Sequence, residues 1–191
     1  IQKVIQADIG FGNGQFPDGT GGLIFAGQQG VLFRFDETTL TLATLGLVPR
    51  ILNEVAFDRD TGGYLALIYS LVSTKFPGTV VRVDPVLGGI VTTVISQDSR
   101  LSRPSSIVFD PTSGDWLISR FDAPGVVRVN PKTLTMSTMF TSSSLNALTI
   151  TPRNTYLAAS ETIVSEIDGN GTVLGSTAFP VLVRVMGAVE W

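Results

Sequence analysis

The apolar residues of this chain fall into short runs broken by Gly, Pro, Asp and Asn, and the runs repeat. The phrase VLFRFDETTL (residues 31–40) returns as VVRVDPVLGG (80–89), VVRVNPKTL (126–134) and VSEIDGNGT (164–172). Within it the side chains alternate. Val81 and Val83 point to one face and Arg82 to the other, which is the period of a β-strand. A second phrase lies between these marks: EVAFDRDTGGYLAL from Glu54, SIVFDPTSGDWLIS from Ser106 and ALTITPRNTYLAAS from Ala147. PDGTGGLIFAG (17–27) reads as the middle of an earlier copy, and GAVEW at the C-terminus as the opening of a later one.

Each unit predicts four short strands. The first is apolar, as in Val55-Ala56-Phe57 and Ile107-Val108-Phe109. A Gly-containing turn, DRDTGG or DPTSGD, follows it and leads into YLALIYS or WLISRF. The third strand is the first phrase. The fourth is LTLATLG, GIVTTVIS or LTMSTMF. Asx side chains at Asp36, Asp84, Asn130 and Asp168 mark the hairpins between third and fourth strands, and Asp168-Gly169-Asn170-Gly171 is the clearest of them. No sustained i, i+3, i+4, i+7 stripe predicts a helix, and β-branched residues dominate the apolar runs.

Four strands per 38–52 residues is the period of a β-propeller blade. The expected fold is therefore all-β: a propeller of four-stranded antiparallel blades, with sequence for four to five of them. An all-β sandwich is the second choice, but it gives no reason for the repeated phrases. Residues 1–20 read as an N-terminal strand and Gly-rich linker, and GFGNGQFPDGTGG (10–22) as a flexible loop. The repeats then run over 21–191, in units of about 21–51, 52–103, 104–144 and 145–183, with a further one beginning at 184–191.

Composition narrows the chemistry. The 191 residues are 43% hydrophobic and only 15% charged, so a packed core is expected rather than disorder. There is no Cys and no His, which removes disulfides, thiolate nucleophiles, His general bases and His- or Cys-ligated zinc. A net charge of −3 with no basic cluster gives no nucleic-acid surface. No apolar run reaches the ~20 residues of a membrane helix. Richness in Ser, Thr and Gly with few Lys points to an exported or cell-surface protein. The start at Ile1 fits a removed leader or a fragment.

The units resemble β-propellers of the NHL and gluconolactonase-like families. There, I-x-F-D-x-x-G-x-L-x-V followed by V-x-R-V-D-P-x-T-G is typical; here the counterparts are SIVFDPTSGDWLIS and TVVRVDPVLGG. The resemblance covers about residues 21–191. It implies a ring in which the first strand of each blade lines a central channel. Such rings usually hold six or more blades. The shorter count fits a fragment, a small ring closed by MGAVEW, or a ring closed by other copies of the chain, since open sheet edges invite pairing.

The repeated polar residues read as architecture. Arg34, Arg82 and Arg128, with Glu166 at the fourth position, suit stems packed on a neighbouring blade and local bonds. Asp58 and Asp110 suit turns. DGNGT lacks the alternating ligands of a calcium loop. Trp116, Trp191 and the Phe residues suit packing between blades more than sugar stacking. The less repetitive residues ahead of each first strand are the candidate site, at the channel mouth: Asn53 and Glu54, Ser105 and Ser106, Asn146, Met186 and Gly187, with Arg103 and Arg184 slightly earlier. In gluconolactonase-like enzymes Glu, Asn and Asp at this end hold a divalent cation. The resemblance thus marks Glu54 as the candidate metal ligand, with Ca2+ the candidate ion. Phosphate-loop and S-x-x-K motifs are absent from the sequence, as is a Ser-His-Asp set.

The favoured function is a non-catalytic binding or structural module that presents propeller loops to a protein or a glycan. A cation-dependent lactonase-like or lyase-like enzyme is the first alternative. A self-associating subunit of an extracellular filament is the second.

Overall fold

The computed structural model describes residues 15–17, 21–26, 30–47, 52–58, 60–69, 77–84, 90–122, 125–142 and 145–180. Among them are sixteen strands in four antiparallel sheets of four, each sheet consecutive in sequence. The first sheet is β1 (Gln15–Pro17), β2 (Gly22–Ala26), β3 (Val31–Asp36) and β4 (Thr41–Leu47). The second is β5 (Leu52–Asp58), β6 (Gly63–Tyr69), β7 (Gly78–Asp84) and β8 (Ile90–Asp98). The third is β9 (Pro104–Phe109), β10 (Trp116–Arg120), β11 (Gly125–Val129) and β12 (Met136–Phe140). The fourth is β13 (Ala147–Ile150), β14 (Tyr156–Ala159), β15 (Ile163–Ile167) and β16 (Val173–Ala178). Gln15–Pro17, inside the Gly-rich stretch read as a loop, is a paired strand. The architecture is that of β-propeller blades, as the repeat predicts.

The first strand of each sheet is its inner edge, and β1, β5, β9 and β13 follow one another side by side. The core lies between sheets rather than within one. Ile24, Leu32, Val55, Tyr64 and Ile68 fill the seam between the first and second blades. Leu65, Leu67, Leu101, Ile107, Trp116 and Ile118 fill the second seam. Leu117, Val126, Leu145, Leu148 and Tyr156 fill the third. β6, over residues 63–68, and β10 are buried on both faces, and residues 64–68 and 116–118 therefore read as continuous apolar runs instead of alternating ones. Each fully buried Leu or Ile contributes about 1.5–3 kcal/mol. Trp116, 1% exposed, packs between blades as expected.

The repeated Asp and Arg close the second and third blades. Asp58 is buried, accepts from the Thr61 hydroxyl at 2.7 Å and from Arg82 Nη2 at 2.9 Å. Asp110 does the same with Ser113 at 2.7 Å and Arg128 Nη1 at 3.1 Å. Arg128 also donates from Nη2 to the Gly169 carbonyl of the next blade at 2.7 Å. In the fourth blade the charges are exchanged. Glu166 stands at the Arg position and accepts from Arg153 at 2.9 Å and Thr155 at 2.6 Å. The Arg residues are thus local braces, and Asp168 caps its hairpin through the N–H groups of Asn170 and Thr172. No helix of the described residues is long and apolar enough to cross a membrane.

Candidate functional site

Strand register fixes which mouth residues meet. Glu54 pairs with Leu67, Ser106 with Ser119, and Ala147 with Ala159. Glu54, Ser106 and Ala147 therefore hold the same place in three successive inner strands. The Glu54 and Ser106 side chains meet, with Ser106 Oγ 2.8 Å from Glu54 Oε1. Ser106 Oγ is also 3.0 Å from the carbonyl oxygen of Leu148 in the third inner strand. The backbone N–H of Ile107 donates to the Glu54 carboxyl. One relay of hydrogen bonds thus ties β5, β9 and β13 together.

The proton count of that relay is informative. A Ser hydroxyl carries one proton, and Ser106 faces two acceptors. Every partner is satisfied when Glu54 is protonated: its O–H donates to Ser106 Oγ, and Ser106 donates to Leu148. The electrostatics agree. Glu54 as a residue is half-buried, but protein encloses its carboxyl group, and that desolvation holds it well above the usual carboxylate range despite the Ser106 and Ile107 bonds. A second relay runs alongside. Ser105 Oγ donates to the Leu145 carbonyl at 2.6 Å and lies 2.8 Å from Ser119 Oγ, which supplies the other proton.

Arg103 and Asn146 make other contacts. Arg103, at a left-handed φ of 46°, stacks its guanidinium 4.3 Å over the Phe121 ring and reaches Asp122 at 3.4 Å. Asn146 is half-buried, and its N–H donates to the Ala159 carbonyl at 2.8 Å. Asn53 lies within β5, but its side chain falls outside the described residues, as do Arg184, Met186, Gly187 and Trp191. Among the described residues no three acidic side chains converge. The Glu54 carboxyl thus has one oxygen bonded to Ser106 and accepts from the Ile107 N–H.

Two polar residues of this region escaped the sequence reading, although the repeat carries their signal. Ser119 stands where the second blade has Leu67, and Arg120 where it has Ile68. Both depart from buried apolar positions, and both are themselves buried.

No protein-family profile and no curated protein sequence matches the chain. Solved structures do. The chain is similar to one in a nidogen–laminin complex, with a TM-score of 0.73 at 14% identity, over 92% of this chain and 66% of that one. It is similar to a gluconolactonase of Xanthomonas campestris, with a TM-score of 0.70 at 15% identity, over 90% of this chain and 63% of that one. It is similar to an auxiliary nutrient binding protein of Bacteroides thetaiotaomicron, with a TM-score of 0.69 at 12% identity, over 96% of this chain and 44% of that one. The chain thus spans less than two thirds of each of these structures. At such identities the likeness establishes the propeller fold alone.

Proposed function

We propose that this chain is a non-catalytic binding module of an exported protein, offering its blade-mouth loops to a glycan or to the surface of another protein. The observation that carries the reading is the Glu54–Ser106–Leu148 relay. The one acidic side chain described at the candidate mouth is spent on joining inner strands. In that state it is a poor general base, and its oxygens are poorly disposed toward a cation. A similar fold in a nidogen–laminin complex and in a nutrient binding protein supports a role in binding. The Ser-, Thr- and Gly-rich, Lys-poor composition supports export.

The test has two arms. The full chain is applied to an array of neutral and acidic oligosaccharides with and without a calcium chelator; the expected result is binding that survives the chelator. The same chain is titrated with calcium chloride by calorimetry and assayed for lactone hydrolysis. Calcium uptake that is lost in Glu54→Ala, together with lactone turnover, would overturn the reading in favour of a cation-dependent enzyme.

A further inference from the structure

Strand register lays the second and third blades on one another. Tyr64 pairs with Phe57 and Val83, and Trp116 with Phe109 and Val129. Gly63 and Asp115 therefore hold the same place, as do Asp84 and Asn130. In the second blade one carboxylate meets the brace, Asp58 on Arg82 at 2.9 Å. In the third, two carboxylates meet one guanidinium: Asp110 lies 3.1 Å and Asp115 3.3 Å from Arg128 Nη1. The second-blade brace stands with Gly63 at that place, and Gly22 and Thr155 fill it in the first and fourth blades. Asp115 is thus an acid that the architecture does not need.

Asp115 lines a cleft of about 270 Å³ together with Arg128, Asn130, Thr135, Met136 and Ser137. The cleft lies at the end of the third blade away from the candidate mouth, where β11 turns into β12. Asp115 Oδ1 accepts from Asn130 Nδ2 at 3.2 Å and Oδ2 from Arg128 Nη1 at 3.3 Å, both long bonds. A carboxylate accepts about four hydrogen bonds, so this one keeps acceptor capacity. Its side chain is 13% exposed. Asn130 Nδ2 carries two N–H groups and gives one to Asp115. Thr135 and Ser137 are exposed and add hydroxyls, and Met136 is half-buried and adds an apolar contact.

The chemistry of the lining selects a ligand class. Acceptors, donors and hydroxyls alternate within one small space. Two carboxylates against one guanidinium repel an anion, while Arg128 repels a cation. The volume lies below the roughly 300–1,000 Å³ of sites for drug-sized ligands, so a single small ring fills it. We infer that this cleft holds one neutral monosaccharide unit. The Asp115 carboxylate accepts from two adjacent ring hydroxyls, Asn130 Nδ2 donates to one of them, and Met136 lies against the C–H face. The site goes beyond the blade-mouth reading above: it sits at the opposite end of the third blade and stands whether or not the mouth takes a ligand.

The isotope-labelled full chain is titrated by NMR with methyl α-mannopyranoside, methyl β-galactopyranoside and methyl β-glucopyranoside. Saturable shifts with at least one of them are expected at the Asn130 side-chain amide and at the backbone amides of Asp115 and Ser137. Asp115→Gly, which installs the residue of the second blade, should weaken binding at least tenfold. Asp115→Asn, which keeps one acceptor oxygen, should weaken it by a smaller factor. Absence of saturable shifts with all three sugars in the wild-type chain overturns the inference, and this arm needs no variant to fold. Shifts confined to the Ile107 and Asn146 amides overturn it too, while leaving the blade-mouth reading intact. Equal affinity in wild type and Asp115→Gly overturns it as well.

Discussion

Glu54 and Ser106 hold the same position in successive inner strands, 52 residues apart, and meet at 2.8 Å. Burial raises the Glu54 pKa, so its stability contribution has a definite sign. Its folded pKa lies above its unfolded value of about 4.3. The contribution is therefore full below that unfolded value and is lost as pH rises through the folded one. Glu54→Gln is neutral at every pH and can make the same bonds. Urea unfolding from pH 4.5 to 8 should show the variant gaining on wild type as pH rises. Parallel stability curves would show that Glu54 titrates like a free carboxylate. Glu54→Ala leaves Ile107 N–H without its partner and should cost about 1–3 kcal/mol throughout.

The two Ser relays should respond unequally to truncation. Ser106→Ala leaves both Glu54 and the Leu148 carbonyl short of a partner, so a loss of about 1–3 kcal/mol is expected. Ser119→Ala leaves Ser105 still bonded to Leu145 and should cost under about 1 kcal/mol. Equal losses in thermal unfolding would refute the relay order.

Arg128 joins Asp110 to the Gly169 carbonyl of the next blade, so it braces a blade and a seam at once. Asp110 is 3% exposed in its side chain. Burial works against its charge, but Ser113, the Thr112 N–H, the Tyr156 hydroxyl and Arg128 together hold it below the usual range. Its stabilisation is present above the unfolded pKa and is lost as pH falls through the folded one. Arg128→Met should cost about 2–4 kcal/mol at pH 7 by urea unfolding. Arg34→Met, which breaks the more exposed Asp36 pair, should cost under about 1 kcal/mol. An equal cost for the two would show that burial of the acid is not what matters.

These contrasts explain what the sequence discloses. The blades are legible because every one needs the same hairpin, so Val81, Val83, Arg82 and Asp84 recur with the same spacing. Arg82 and Arg128 are legible as braces for the same reason. The Glu166–Arg153 exchange is not, because a swap of charge keeps the brace while breaking the pattern. The Ser relays are silent in sequence. Ser105 and Ser119 touch only because a bulge in β9 sets two residues against one turn of the ladder. Arg120 was legible in principle, since a cation at an Ile position contradicts the repeat.

The hairpin after β15 shows how tightly the third and fourth blades are joined. Gly171 has a left-handed φ of 85°, and a β-carbon there would collide with the Met139 carbonyl oxygen in β12. Two residues earlier, a β-carbon at Gly169 would meet open space. Gly171→Ala must both strain the turn and push it off the third blade, with a cost of about 2–4 kcal/mol. Gly169→Ala should stay within about 0.5 kcal/mol of wild type. The lost contact also carries the Arg128–Gly169 bond, so the damage should be local. In Gly171→Ala, hydrogen exchange at β14 and β15 should quicken while amides of β6 and β7 keep their protection. Uniform quickening across all four blades would show that the sheets unfold as one unit and that this seam is no separate joint.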